Sequence, residues 1–262
     1  MNDEMYLSIV DVRSFGAWGP PYGRVSWLKG VHERLEPRAM LRRFALLTTL
    51  IVLVSGCTSS GVSRPKQEVT AESYGKDQTK GLVVVSALWG RTWKCAQFEN
   101  GQLQSFGFDR LPSETTGNDA TADVVIEDST PYPPRFYTEK PATNYVLALD
   151  PGEYGLATFA IKVASSATDV KTASVGRARL FEGGKPIGGT FSVKAGELVY
   201  IGHFGLDCYK EPTIWRYYPE GRDGFNHYKQ VIKQQYPFLD VETMQFRLFK
   251  TSKLGRDYVL PQ

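Results

Sequence analysis

"NYVLALDPGEYGLATFAIKV", residues 144–163, is the stretch whose reading decides the fold. Two apolar runs flank Asp150-Pro151-Gly152-Glu153. Proline presets φ at the first corner of a tight turn, and glycine permits a positive φ at the second. The spacing predicts a β-hairpin. The same grammar recurs in "VGRARLFEGGKPIGGTFSVKAGELVYIGHF" (175–204), where turns at 182–186 and 194–197 separate expected strands 175–181, 187–193 and 197–204. "LALDPGEYGLATFAI" and "FSVKAGELVYIGHF" echo one another, each running strand, small Gly-Glu turn, apolar strand.

Upstream, "LVVVSALW" (82–89) is a β-branched run suited to a buried strand, and "ADVVIED" (122–128) is a second candidate. Residues 111–121 read as a polar loop, and 129–136 are too proline-rich for a central strand. Closely spaced strands with Gly/Pro turns predict an antiparallel sandwich or barrel. One helix interrupts the pattern. Phe225, Tyr228, Val231, Ile232 and Tyr236 share one face at helical spacing, with Asp223 as the expected N-cap and Pro237 as the stop. Residues 241–249 alternate partly and suggest a final strand. The expectation for 81–262 is a mainly β fold, an antiparallel β-sandwich with one C-terminal-region α-helix packed on it.

"MLRRFALLTTLIVLVSGCTSSG" (40–61) has a different texture. Phe44 to Val54 form an apolar run of eleven residues. A membrane-spanning helix needs about twenty, whereas a signal-peptide core needs about 7–15 behind positive charge. Arg42 and Arg43 supply that charge. Val54-Ser55-Gly56-Cys57 resembles the lipobox of bacterial lipoproteins. The resemblance implies that Cys57 is diacylated on its thiol, that the chain is cut before it, and that the new amino terminus is acylated too. Two or more acyl chains hold a protein stably where one does not. Thr58 stands where an Asp would favour the inner membrane, so in a Gram-negative source the resemblance implies the outer membrane, facing the periplasm.

The organisation expected is therefore a signal peptide over 40–56, a flexible polar tether over 57–80 and the sandwich behind it. Residues 1–39 are punctuated by Gly and Pro without a sustained period. We expect translation to start at Met40, with 1–39 a non-native extension. The corner Leu149-Asp150-Pro151-Gly152-Glu153-Tyr154 also resembles an L-x-P-G-x-Y motif of uncharacterised lipoprotein families with small β-sandwich domains. That resemblance covers about residues 81–208 and implies the fold and no activity.

Cys95 and Cys208 remain after Cys57 is assigned to the anchor. In an oxidising compartment they are expected to form one disulfide, the alternative being two separate buried thiols. Residues 57–262 carry 24 basic and 23 acidic side chains, and a protein that grips nucleic acid needs a concentrated basic face. No nucleic-acid partner is expected.

No Gly-x-Ser-x-Gly, His-Glu-x-x-His, P-loop or dinucleotide glycine pattern occurs, and no motif implies a cofactor. His203, Asp207 and Cys208, with His227 from the helix, are metal-ligand types, but Cys208 is better used in a disulfide and no metal is expected. Phe204 to Tyr228 are dense in rings and arginines. These rings are expected to cap the sandwich core where helix meets sheet. The alternative makes Trp215, Arg216, Tyr217, Tyr218 and Arg222 a binding surface for a glycan or protein. Three functions follow as expectations: a membrane-anchored, non-enzymatic binder of an envelope protein or glycan; an enzyme acting on envelope polymers; or a structural subunit of an envelope complex.

Overall fold

The computed structural model describes residues 65–113, 121–128 and 142–261. The expected signal peptide, Cys57 and the residues before them lie outside the described residues. In chain order the elements are β1 (Gly81–Ala87), β2 (Thr92–Cys95), β3 (Phe98–Arg110), β4 (Val124–Glu127), β5 (Thr143–Leu149), β6 (Gly152–Ala164) and β7 (Val170–Val175). There follow a one-turn helix α1 (Arg177–Leu180), β8 (Phe181–Glu182), β9 (Lys185–Pro186), β10 (Thr190–Val193), β11 (Leu198–Asp207) and β12 (Thr213–Tyr217). Helix α2 (Gly221–Gln235), a 3-10 turn (Val241–Thr243) and β13 (Gln245–Phe246) close the fold.

The fold is mainly β, as expected: two sheets face one another and α2 packs on the outside of one. The first sheet runs β12-β11-β1-β5, with β13 also on β11; the second runs β10-β6-β3-β2, with β4 on β3 and β7 on β6. The second is antiparallel throughout. In the first, β1 pairs in parallel with β11, and β13 does so too. Central strand β1 is covered on both faces. Val83 and Val85 enter the core between the sheets, and Val84 the core beneath α2. That is why its sequence is a continuous apolar run. Between the sheets, Phe106, Phe108, Phe204 and Phe249 interlock with centroids 5.0–5.9 Å apart. Such edge and offset contacts add to what the buried area contributes.

The expected hairpin at 150–153 is instead a corner between sheets. β5 pairs with β1 in the first sheet, and β6 pairs with β3 in the second. Tyr154 holds the corner: its ring stacks on Phe191 at 5.3 Å and its hydroxyl donates to the Asp150 carbonyl at 2.8 Å. Arg110 donates to the Pro151 carbonyl from the other side at 2.7 Å. This is the tyrosine-corner device of β-sandwiches, and it explains the spacing of Leu149, Pro151, Gly152 and Tyr154. The echo at 194–197 crosses between sheets in the same way, from β10 to β11. There Arg247 grips Glu197 at 2.7 and 3.1 Å and holds its carboxyl below the usual carboxylate range. The turn at 182–186 is a true hairpin, β8 pairing with β9.

Other expectations shift. The strand expected over 175–181 is broken by α1, because Arg177 turns inward to a buried partner. Helix α2 buries Phe225, Tyr228 and Ile232 and stops before Pro237. It starts two residues before Asp223, and the hydroxyl of Tyr258 accepts the Gly221 N–H at 2.7 Å. Asp223 lies in the first turn, where a carboxylate complements the helix dipole. The final strand over 241–249 is reduced to β13 behind the 3-10 turn.

The tether also ends earlier than expected. Val69 donates to the Val146 carbonyl and Ala148 to the Gln67 carbonyl, both at 2.8 Å, so Glu68 bridges Leu147 on the free edge of β5. Val69 is buried. Residues 65–80 are thus a strap stitched to the sandwich rather than a free linker.

Candidate functional site

The ring-rich segment from Phe204 to Tyr228 is divided by strand alternation. Phe204, Leu206 and Ile214 belong to the core between the sheets. Arg216 pairs with Phe204, so it shares that face, whereas Trp215 and Tyr217 point to the other. Arg216 is only 2% exposed. Its guanidinium donates to the Arg256 carbonyl and lies 5.3 Å from the centre of the Tyr218 ring, which stacks on Tyr258 at 4.2 Å. Burial lowers its pKa. Arg222 donates to the Pro261 carbonyl at 3.1 Å, and Tyr217 to the Leu206 carbonyl at 3.1 Å. The five residues do not form one binding surface. Arg216, Tyr218 and Arg222 fasten the C-terminal segment, and Phe225 and Tyr228 are core.

Gly202 makes room for Arg216. Its φ is +124°, and a Cβ there would lie 2.8 Å from the arginine Cγ. Sequence reading had no signal for this pairing of a glycine and an arginine across two strands.

The metal-ligand types are not assembled. Cys208 is bonded to Cys95, and His227 is exposed on α2. Among the described residues no group of three His, Cys, Asp or Glu side chains is placed to hold a metal ion. His203 lies between Tyr200 and Tyr228, with ring centroids at 5.4 and 4.9 Å. Its Nδ1 is buried without a hydrogen-bond partner, and burial pushes its pKa down to about 4. The unfolded imidazole takes its proton near pH 6.5. Between those values the unfolded state binds more protons, so stability falls as pH falls. We expect the unfolding free energy to drop by about 2 kcal/mol from pH 7 to pH 5 through this group. Urea titrations at the two pH values check it: His203→Phe should flatten the difference.

Beneath α2 a polar cluster interrupts the apolar packing. The Ser86 hydroxyl bonds Asn144 and lies 2.8 Å from the Tyr228 hydroxyl. Asn144 donates to Gln235 at 2.8 Å. The Tyr236 hydroxyl sits 2.8 Å from Glu68 and 2.9 Å from the Asn144 carbonyl. Strap, sheet and helix are thereby locked in one register, a positional role that fully bonded buried polar groups serve well.

Among the described residues, the disulfide end of the sandwich carries the two most exposed rings. The bond between Cys95 and Cys208 joins the β2–β3 turn of the second sheet to the end of β11 in the first, with Cα atoms 4.6 Å apart. Two residues before Cys95, Trp93 is 52% exposed; one residue after Cys208, Tyr209 is 74% exposed. The Arg91 guanidinium lies 5.5 Å from the centre of the Trp93 ring. Lys94 has φ +56°, which turns Cys95 toward the interior while Trp93 stays outside. Sequence reading missed this pair because 116 positions separate the two rings. The usable signal was that each sits beside a cysteine expected to bridge.

A groove of about 800 Å³ lies between the strap and the end of the first sheet. A smaller one, about 450 Å³, is lined by hydroxyls and lysines near Thr190 and Lys250. Compared with known protein families, with curated proteins and with solved structures, the chain matches none.

Proposed function

We propose that the chain is a lipid-anchored, non-enzymatic envelope protein whose sandwich binds another envelope protein or a glycan through its disulfide end. The anchor rests on the lipobox-like Val54-Ser55-Gly56-Cys57, with acylation at Cys57, and Thr58 after it favours the outer membrane in a Gram-negative source. The observation that supports a binding role is the pair Trp93 and Tyr209, exposed at 52% and 74%, beside the bond that ties the two sheets. Trp, Tyr and Arg are enriched in binding hot spots, and Trp and Tyr bury large area at a low entropic cost. Held on a disulfide-pinned turn, these rings lose little freedom when a partner covers them.

Crosslinking in intact envelopes tests the reading. A photoreactive side chain at position 93 or 209 is expected to capture one discrete partner. Combining Trp93→Ala with Tyr209→Ala should abolish capture from a third position on the same turn while leaving stability within about 0.5 kcal/mol, as for other exposed substitutions. Capture unchanged in the double variant would sink the proposal for this end of the sandwich.

A further inference from the structure

The groove beneath the strap has the chemistry of an amphiphile site. Its volume, about 800 Å³, lies in the range of small-ligand pockets. Leu82 and Ala148, paired across β1 and β5, form an apolar floor on the outer face of the first sheet. Val69 and Tyr74 of the strap form a wall, and the Tyr74 ring rests on Phe238 at 5.3 Å. Val69, Leu82, Ala148 and Phe238 belong to the core beneath α2, so the groove opens that core to solvent at one end. Exposed apolar surface continuous with a core, ringed by polar groups, marks a ligand site. In a lining that also holds Glu68, Asp77 and Lys80, Lys66 and Lys76 stand at the rim, both exposed. Among the described residues neither makes an ion pair, whereas Lys80 is met by Asp150 at 3.7 Å.

We infer that this groove binds an anionic phospholipid of the membrane that holds the chain, acyl carbons on Leu82 and Ala148 and the phosphate at Lys66 and Lys76. The inference rests on the anchored reading above. Seven residues separate Cys57 from Pro65, so the strap begins within about 28 Å of the acylated cysteine even at full extension. A lysine near an anionic leaflet is drawn to it, and the strap places its lysines on the segment that leads to the anchor.

The test uses the full chain purified in neutral detergent micelles doped with photoactivatable phosphatidylglycerol, phosphatidylcholine or a free fatty acid. We expect phosphatidylglycerol to label peptides containing Tyr74 and Leu82. Lys66→Glu with Lys76→Glu should cut that labelling about tenfold or more with an unchanged melting temperature. Equal labelling by phosphatidylcholine, labelling by the fatty acid alone, or labelling elsewhere on the chain each overturns the inference. Intact mass of the same preparation reports acylation of Cys57 separately. A labelled but unacylated chain keeps the groove and loses the anchor; an acylated but unlabelled chain does the reverse.

Discussion

Replacing Cys95 and Cys208 together by Ser is expected to lower the unfolding free energy by about 2–5 kcal/mol, with about 4.8 kcal/mol as the chain-entropy value for a loop of this length. The bond spans 113 residues and so removes a large share of the freedom of the unfolded chain. It is also the covalent tie between the sheets at that end. Ala96 donates to the Cys208 carbonyl at 3.2 Å beside it. Beyond the loss of stability, the tip bearing Trp93 should become mobile. Guanidinium titration of oxidised, reduced and double-Ser protein measures the first. Hydrogen exchange at Trp93 and Lys94 measures the second. If the double-Ser chain unfolds at the same midpoint as the oxidised chain, the bond is dispensable and the rigid-tip argument for binding falls with it.

How far this fold is legible in the sequence depends on the kind of signal. The face of α2 was legible because apolar residues at a 3.6 period leave no other way to be buried together, and Phe225, Tyr228 and Ile232 are buried on it. Strands β2, β3, β7 and β12 went unread, while the location of β1, β4, β5, β6, β10 and β11 was legible from apolar runs bounded by turn signals. Their pairing was not. Asp150-Pro151-Gly152 bends the chain equally well within one sheet or from one sheet to the other, and what selects the corner is Tyr154 reaching back to the Asp150 carbonyl. The strap escaped notice because main-chain bonds hold it: Gln67 and Val69 pair with β5 through their backbones, which leave no trace in a side-chain pattern. The rings after Phe204 were open to two readings, core cap and binding surface. Alternate residues of a strand face opposite sides, so a ring-rich strand spends half its rings on the core. The candidate surface instead arises from two sparse places that a disulfide brings together.

Removing the carboxylate of Asp109 is expected to cost as much as the disulfide, about 3–5 kcal/mol, because it would strand a buried charge. Asp109 is 1% exposed and Arg177 is 6% exposed. They meet twice, Nε to Oδ2 at 2.5 Å and Nη2 to Oδ1 at 2.8 Å. Asp109 also accepts from the Ser113 hydroxyl at 3.1 Å and the Asp123 N–H at 3.4 Å, and Arg177 donates to the Thr121 carbonyl at 3.3 Å. The pair therefore fastens β3, the segment at 121–123 and α1 to one point. It also accounts for the failed strand at 175–181: an arginine in an edge strand would face water, and here it is drawn inward, so the backbone coils for one turn instead. The attraction is what specifies this local path, while its net contribution to stability is small once desolvation is counted. A double-mutant cycle separates the two. Asp109→Leu and Arg177→Met should each destabilise strongly, and the two combined should recover more than half of the loss by leaving no charge unpaired. A double variant that loses as much as either single one would mean that the pair itself, rather than the avoidance of a lone buried charge, holds α1 in place, and additive losses would mean that the two side chains act independently.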